Sequence, residues 1–348
     1  MVLAAWRLEP KADWLLAREQ NFQVKSPTFF RPLLGGLLML VACAGANSEP
    51  FRTRDQNPFL AGFGLPVAMP SSIAANGKWQ WAADFNWGSS ANVQANASEA
   101  LIVDAETREL RVRIGRGLGN GFAMQLQIPY RYTGGGTLDG FIDDWHGWFS
   151  LPEGARRTLP KDQYRIAYQQ GATLMDLRRP SSGLADISAD VGYQLQAGDT
   201  THLAAWLSLE LPTGDADELT GNEAIDASLI LAGARSFAER WTVFGQVAAS
   251  YLGEGDLLGR QQRSFVLSGM AGLEVAVTAN LGLKAQLDTH GGAFAQTSLD
   301  YLNDTAILTV GGSYHFNNAW QLDIGVSEDI VVDGGPDVVF VLGLRRAR

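Results

Sequence analysis

Asp143, Asp144 and His146 stand close together in the chain, framed by Trp145 and Trp148. Two carboxylates and an imidazole at such spacing could hold a divalent ion or move protons. The neighbouring residues give a second reading. Phe141, Ile142, Trp145, Trp148 and Phe149 recur at i, i+3, i+4 and i+7, the stripe of a short amphipathic helix. Asp139 stands where it could cap the start of that helix. The stripe favours a helix that plugs or lids the mouth of a larger fold, with Asp143 and Asp144 on its wet face, over an ion site or catalysis. Of the four histidines, His146, His202, His290 and His315, none lies beside a nucleophile in a context that Ser–His–Asp chemistry would use. A membrane-embedded lipid hydrolase is therefore only an alternative, and the chain does not read as an enzyme. The acidic run Gly214–Glu218 lacks the ligand spacing of a calcium loop. Gly115, Gly117 and Gly119 are followed by no helix and do not form a phosphate loop. No residue set requires a metal or a cofactor.

More charge with a possible role lies on a two-residue beat. Phe122, Met124, Leu126, Ile128, Tyr130 and Tyr132 alternate with Ala123, Gln125, Gln127, Pro129 and Arg131. The same alternation returns at residues 201–211 and 320–327. Side chains alternate faces along a strand, so each segment carries one apolar and one mixed face. Repeated segments of about ten residues with this pattern are the signature of a transmembrane β-barrel. On that fold the inward register holds Arg111, Arg113 and Arg131 on one side, and Asp190, Glu210, Asp226, Glu274, Lys284 and Asp323 elsewhere. A basic wall facing an acidic one would set a transverse field that selects polar solutes. The competing arrangement pairs these charges and closes the lumen.

The composition agrees with a barrel. Thirty-nine Gly, 10 Trp, 16 Phe and 8 Tyr accompany only 18% charged residues. Glycine lets strands bend and pack, and aromatics form belts at the two membrane interfaces. A net charge of −10 without a basic run argues against nucleic acid as a partner. Residues 1–46 read as a leader. The apolar stretch Leu33–Cys43 is too short to span as a helix, follows Lys25 and Arg31, and precedes the small residues Ala44, Gly45 and Ala46, the pattern of a signal peptide. Residues 1–23 carry Glu9, Asp13 and Glu19 and fit a start site placed too early. Leu40–Cys43 also reads as a lipoprotein box, with Cys43 as the acceptor. Residues 47–78, rich in proline and small residues, are expected in the periplasm or the lumen, and residues 79–348 in the barrel.

Connections alternate short and long, as in outer-membrane barrels with short periplasmic turns and long external loops. Short turns are expected near residues 118–121, 197–200, 238–240, 278–280 and 317–319. Long loops are expected near 88–98, 133–183, 212–224, 252–263, 291–302 and 328–336. Phe237, Trp241, Phe316, Trp320 and Tyr193 stand beside the short turns, where an interfacial girdle belongs. Twelve strands follow, at about 79–87, 107–117, 122–132, 185–196, 201–211, 225–237, 241–251, 263–277, 281–290, 304–316, 320–327 and 337–344. Tyr164–Gln170 and Ala172–Leu177 are also strand-like. If they cross the membrane, the barrel has fourteen strands.

The run from Asp139 to Arg156, DGFIDDWHGWFSLPEGAR, resembles a motif of a bacterial family known only as a domain of unknown function, whose members look like outer-membrane barrels. Asn57-Pro58-Phe59 and the stretch Val103–Thr107 resemble that family too. Leu211-Pro212-Thr213-Gly214 also resembles the meta-pathway phenol-degradation outer-membrane family. The first resemblance implies a barrel and no particular activity. The second implies passage of an apolar or aromatic compound.

The reading is thus an all-β, closed antiparallel transmembrane β-barrel of the bacterial outer membrane, with a short helix in a long external loop. Its expected work is passive or gated passage of a small solute. Its expected partners are outer-membrane lipids, the barrel-assembly machinery and an unidentified solute. A structural or surface-binding barrel with a filled lumen is the alternative.

Overall fold

The computed structural model describes residues 49–149, 154–258, 261–316, 320–330 and 334–346. The expected signal peptide, the early start and Cys43 lie outside these residues. The strands in chain order are β1 (Trp79–Ala95), β2 (Glu99–Gly119), β3 (Phe122–Gly134), β4 (Arg165–Gln170), β5 (Thr173–Leu177), β6 (Ser181–Leu184), β7 (Ile187–Ala197) and β8 (Thr201–Leu211). They continue with β9 (Asp226–Phe237), β10 (Trp241–Tyr251), β11 (Phe265–Ala276), β12 (Leu281–His290), β13 (Thr305–His315), β14 (Trp320–Asp329) and β15 (Val338–Arg346). One α-helix, α1 (Asp139–Phe149), lies between β3 and β4.

Each long strand pairs antiparallel with its neighbour, and β15 returns to pair with β1 from Trp81↔Arg346 to Ser89↔Val338. The barrel therefore closes with twelve strands, β1, β2, β3 and β7 to β15. Closure leaves no edge whose backbone groups would go unpaired in lipid. The β4–β5 hairpin does not cross. β4 pairs with the far end of β2, Glu99–Asp104, above the point where β3 leaves it. The fourteen-strand alternative is excluded.

The two-residue beat sets the walls. On β3, Met124 is 52% exposed while its neighbour Gln125 is 7% exposed. Outward residues of β8 to β11, such as Leu207, Leu229, Val247 and Leu267, form an apolar exterior that water would not stabilise. Trp79, Trp81, Phe122, Tyr193, Phe237, Trp241, Tyr314, Phe316 and Trp320 ring the short-turn end on this outer face. The β2–β3 turn needs Gly119, Asn120 and Gly121, all with positive φ, a combination open to few residue types.

One connection differs from its reading. Residues 88–98, read as a long loop, are mostly strand. β1 runs on to Ala95 and β2 begins at Glu99, so a ribbon of paired backbone rises beyond the barrel. Serines and asparagines there look loop-like, but a ribbon clear of lipid needs no apolar outer face. Inward residues of this ribbon, Leu101 and Val103, join Ile166 and Tyr168 of β4 over the long-loop mouth.

Candidate functional site

Residues 49–78 run through the barrel interior as a hairpin without joining the sheet. The segment starts at the short-turn end, where Glu49 Oε2 accepts from Arg345 Nη1 at 2.6 Å. It climbs past Phe51, whose carbonyl accepts from Gln286, and past Asp55, whose carboxylate lies 3.2 Å from His290 Nε2. Its tip packs under the long-loop mouth. There the Phe59 ring meets Tyr168 at 6.4 Å between centroids and Phe63 meets Phe294 at 5.4 Å, beside Leu219, Leu257 and Leu302. The segment then descends. Gly64 N–H donates to Asp226, Met69 N–H to Gln246 Oε1 and Ile73 N–H to Gln194 Oε1. Trp206 Nε1 donates to the Pro70 carbonyl. Only the bridge Asn76↔Gly117 resembles strand pairing, just before β1 begins. Proline and irregular composition suit this route, because a segment with no ladder partner must meet its backbone needs one side chain at a time.

The inward residues of the sequence reading are all buried inside the barrel, but they do not form two opposed walls. They form compact ion-paired groups. In the first, Glu109 lies between Arg111 Nη2 at 2.8 Å and Arg131 Nη2 at 2.6 Å, with Arg54 of the segment at 3.7 Å. Arg131 also donates to the carbonyls of Ala61 and Leu219, so it fastens the tip of the segment. In the second, Asp323 accepts from Lys284 at 2.6 Å and from Arg345 at 2.5 Å, while Glu274 lies 3.7 Å from Lys284. Lys284 donates as well to the Glu49 carbonyl. Arg113 pairs with Asp84. Asp190 accepts from Gln125 and Gln127, and Asp226 from the backbone of Gly64 and Gly253 and from Asn222. Glu210 stands across the ladder from Asp226.

Pairing is the expected outcome where lipid outside and packed protein inside leave little water, because an isolated buried charge costs several kcal/mol. The same holds for the segment. Burial works to raise the Glu49 carboxyl, but the guanidinium groups of Arg345 and Arg52 hold it down at about 2. Burial, with the guanidinium of Arg111 beside it, brings Arg54 to about 10, so it stays charged at neutral pH. Two spaces lie beside these groups. A cavity of about 40 Å³ lies beside Asp55, Asp288 and His290, and a cleft of about 20 Å³ opens near Arg113.

Helix α1 is not in the mouth. It lies on the outer wall, against the outward residues Trp87 of β1, Val326 of β14 and Val338 and Phe340 of β15. Ile142 is fully buried there, and Phe141 meets the Phe340 ring at 5.7 Å. Trp145 Nε1 donates to outward-facing Glu328 at 2.9 Å. Glu106, also on the outward register, receives Trp87 Nε1 and the backbone N–H groups of Thr137 and Leu138, and so pins the entry to the helix. Asp143 and Asp144 therefore face away from the lumen, and Asp143 pairs with Lys161 at 2.6 Å. His146 is buried at the helix and Trp148 is 69% exposed. Asp139 does not simply cap the helix; its carboxylate holds Arg156 and the Asp162 N–H. The apolar stripe was legible, but the lumen was already occupied by residues 49–78, and the outer wall offered the matching apolar seat. Among the described residues no group of three His, Cys, Asp or Glu side chains could hold a metal ion.

Sequence reasoning missed Asp84, Glu109 and Arg345 on the wall, and Glu49, Arg52, Arg54 and Asp55 on the segment. The wall residues were findable, since the alternation that places Arg111 inward places Glu109 inward too.

Among solved structures, the chain is similar to the COG4313 outer membrane channel from Pseudomonas putida F1, with a TM-score of 0.54 and 16% identity over 81% of this chain and 100% of that one. The Pseudomonas putida toluene transporter TodX is a more distant likeness, with a TM-score of 0.41 and 12% identity over 86% of this chain and 100% of that one. At such identities the likeness speaks for the fold alone. A search of curated proteins finds no match. A family model matches residues 40–347, nearly the whole described barrel and the motif run from Asp139 to Arg156. The chain therefore belongs to the family described as a protein of unknown function, DUF3187.

Proposed function

We propose that this barrel is a channel of the bacterial outer membrane whose lumen is gated by residues 49–78. One observation carries the reading. The segment that fills the lumen is held by single hydrogen bonds, ion pairs and packing, and is not a strand of the sheet. It can leave the wall without unzipping the barrel, which a strand could not do. Several such contacts hold it, so the open state occupies on the order of 1% of the time or less without a trigger.

The passing solute is small, and an apolar or aromatic compound is the favoured class. The phenylalanine and tyrosine cluster under the long-loop mouth supports that class, since Tyr168 and Phe294, buried against Phe59 and Phe63 while the segment is in place, would be uncovered along the path once it leaves. Outer-membrane lipids surround the barrel, and the barrel-assembly machinery inserts it. Catalysis has no part in this reading. A sealed structural barrel is the second reading, favoured by the burial of the inward charges and of the segment that packs against them.

Planar-bilayer recording on the full chain tests the proposal. Rare, brief openings above a closed baseline are expected. A correctly folded barrel that never conducts, under voltage or with aromatic solute added, would overturn it in favour of the sealed barrel.

A further inference from the structure

At the short-turn end, three guanidinium groups meet on the cleft of about 20 Å³: Arg113 of β2, Arg345 of β15 and Arg52 of the lumen segment. Glu49, Gln80, Gln125 and Arg346 are among the other residues of the lining, and the Arg346 guanidinium lies over the Trp320 ring. Glu49 Oε2 is shared between Arg52 at 2.8 Å and Arg345 at 2.6 Å. Arg345 spends its other terminal nitrogen on Asp323, and Asp323 is already taken by Lys284. Arg113 gives only Nη2, to Asp84. Its Nε and Nη1 have no hydrogen-bond partner, although the residue is 2% exposed. The Nε atoms of Arg52 and Arg345 are likewise without partners.

Around Glu109 three guanidinium groups also crowd one carboxylate, and the Nε atoms of Arg54 and Arg131 are without partners too. The group at Glu49 and Asp84 differs in that its three guanidinium groups converge on one cleft and Arg113 leaves two nitrogens unmet. Here three cations share Glu49 and Asp84, and buried donors are left over. Buried N–H groups of a cation are costly to leave unmet, and a planar guanidinium matches the oxygens of a carboxylate or phosphate.

We propose that this cleft is a binding site for a small free oxyanion, a carboxylate or phosphate, held by Arg113, Arg345 and Arg52. Two of the three arginines belong to the wall and one to the lumen segment, so the bound anion bridges segment and wall. Where the gating reading also holds, the anion favours the closed state. The binding site itself does not depend on that reading.

Titration calorimetry on the full chain, in a non-ionic detergent free of phosphate, tests the site. Inorganic phosphate and acetate are the probes, with sodium chloride at matched ionic strength as the control. Saturable binding of one phosphate per chain is expected, with weaker binding of acetate and none attributable to chloride. Arg113→Gln should weaken phosphate binding at least about tenfold, the loss expected for hydrogen bonds to a charged group. Arg52→Gln, outside the barrel strands, should weaken it as well and serves if the Arg113 variant does not fold. Arg116→Gln removes an outward arginine stacked on Trp79 and should change nothing. Absence of saturable phosphate binding, or unchanged binding in both Arg113→Gln and Arg52→Gln, overturns the proposal. Displacement of phosphate by a short-chain phosphatidylglycerol would overturn the free-anion assignment in favour of a lipid headgroup.

Discussion

Two additions are built onto the same barrel, one on each face of its wall. Residues 49–78 fill the inside and α1 covers part of the outside. The inner segment is fastened at its apolar tip by Phe59 and Phe63, and along its two limbs by charge and backbone hydrogen bonds: Glu49 to Arg345, Arg54 to Glu109, Gly64 to Asp226, Met69 to Gln246. The outer helix is fastened by apolar packing of Ile142 and Trp145 on Trp87, Val326, Val338 and Phe340. Each addition carries the chemistry of the face it meets. Alternation along the strands gives the two faces opposite character, so an irregular segment whose backbone needs polar partners belongs inside and an apolar helical stripe belongs outside. The difference teaches that a filled lumen and a covered outer wall are separate properties, and that they should fail separately.

The largest test of that separation is Glu109→Gln. It leaves Arg111, Arg131 and Arg54 around an uncharged side chain, and breaking a buried ion group by removing one member costs about 3–5 kcal/mol. Denaturant unfolding should shift by that amount. Hydrogen exchange should rise in residues 49–78 while α1 keeps its protection. Equal loss at α1 would mean that the two additions are coupled.

Acid should act next most strongly, on the inside at Glu49. The Glu49 carboxyl lies at about 2 in the folded chain against 4.5 for the ordinary group. A lowered value means that its contribution is fully present above 4.5 and is lost as the pH falls from there through about 2. That contribution is on the order of 3 kcal/mol. Denaturant unfolding followed across pH should report a transition in this window. Glu49→Gln should lack the transition. A transition unchanged in that variant would assign it to another group.

The smallest effect belongs to the outer helix. Ile142→Ala deletes a buried apolar side chain, at a cost of about 2 kcal/mol, the low end for such a change because the rim can close around it. Protease cleavage between residues 137 and 162 should quicken while the barrel's own unfolding and the protection of residues 49–78 stay as they were. A conductance change in this variant would contradict the assignment of α1 to the outer wall.

Much of this was legible in the sequence, for a physical reason. Strands such as Trp241–Tyr251 and Leu281–His290 are found at the residues where the alternation placed them, because each separates lipid from packed protein and so needs two unlike faces. The ribbon at 88–98 was not legible, since a paired strand clear of lipid has no such contrast. The stripe of α1 was legible as a helix, but its side was not. An apolar stripe fits any apolar surface, and the choice rests on Glu106, Trp87 and Phe340 lying far away in sequence. The inward charges were legible one at a time. Their pairing was not, because Arg131 meets Glu109, Arg113 meets Asp84 and Lys284 meets Asp323 from different strands, and alternation along one strand does not give the register between strands.

The central claim is that residues 49–78 are what closes the lumen and that their departure opens it. A cross-linked channel tests this most directly. Ile73 and Gln194 are joined by a hydrogen bond of 2.8 Å between segment and wall, and the chain's one cysteine, Cys43, lies in the expected leader. Ile73→Cys with Gln194→Cys, joined by a short reducible thiol linker, should abolish channel openings in a planar bilayer, and reduction should restore them. Openings that persist with the segment tied to the wall would contradict the account.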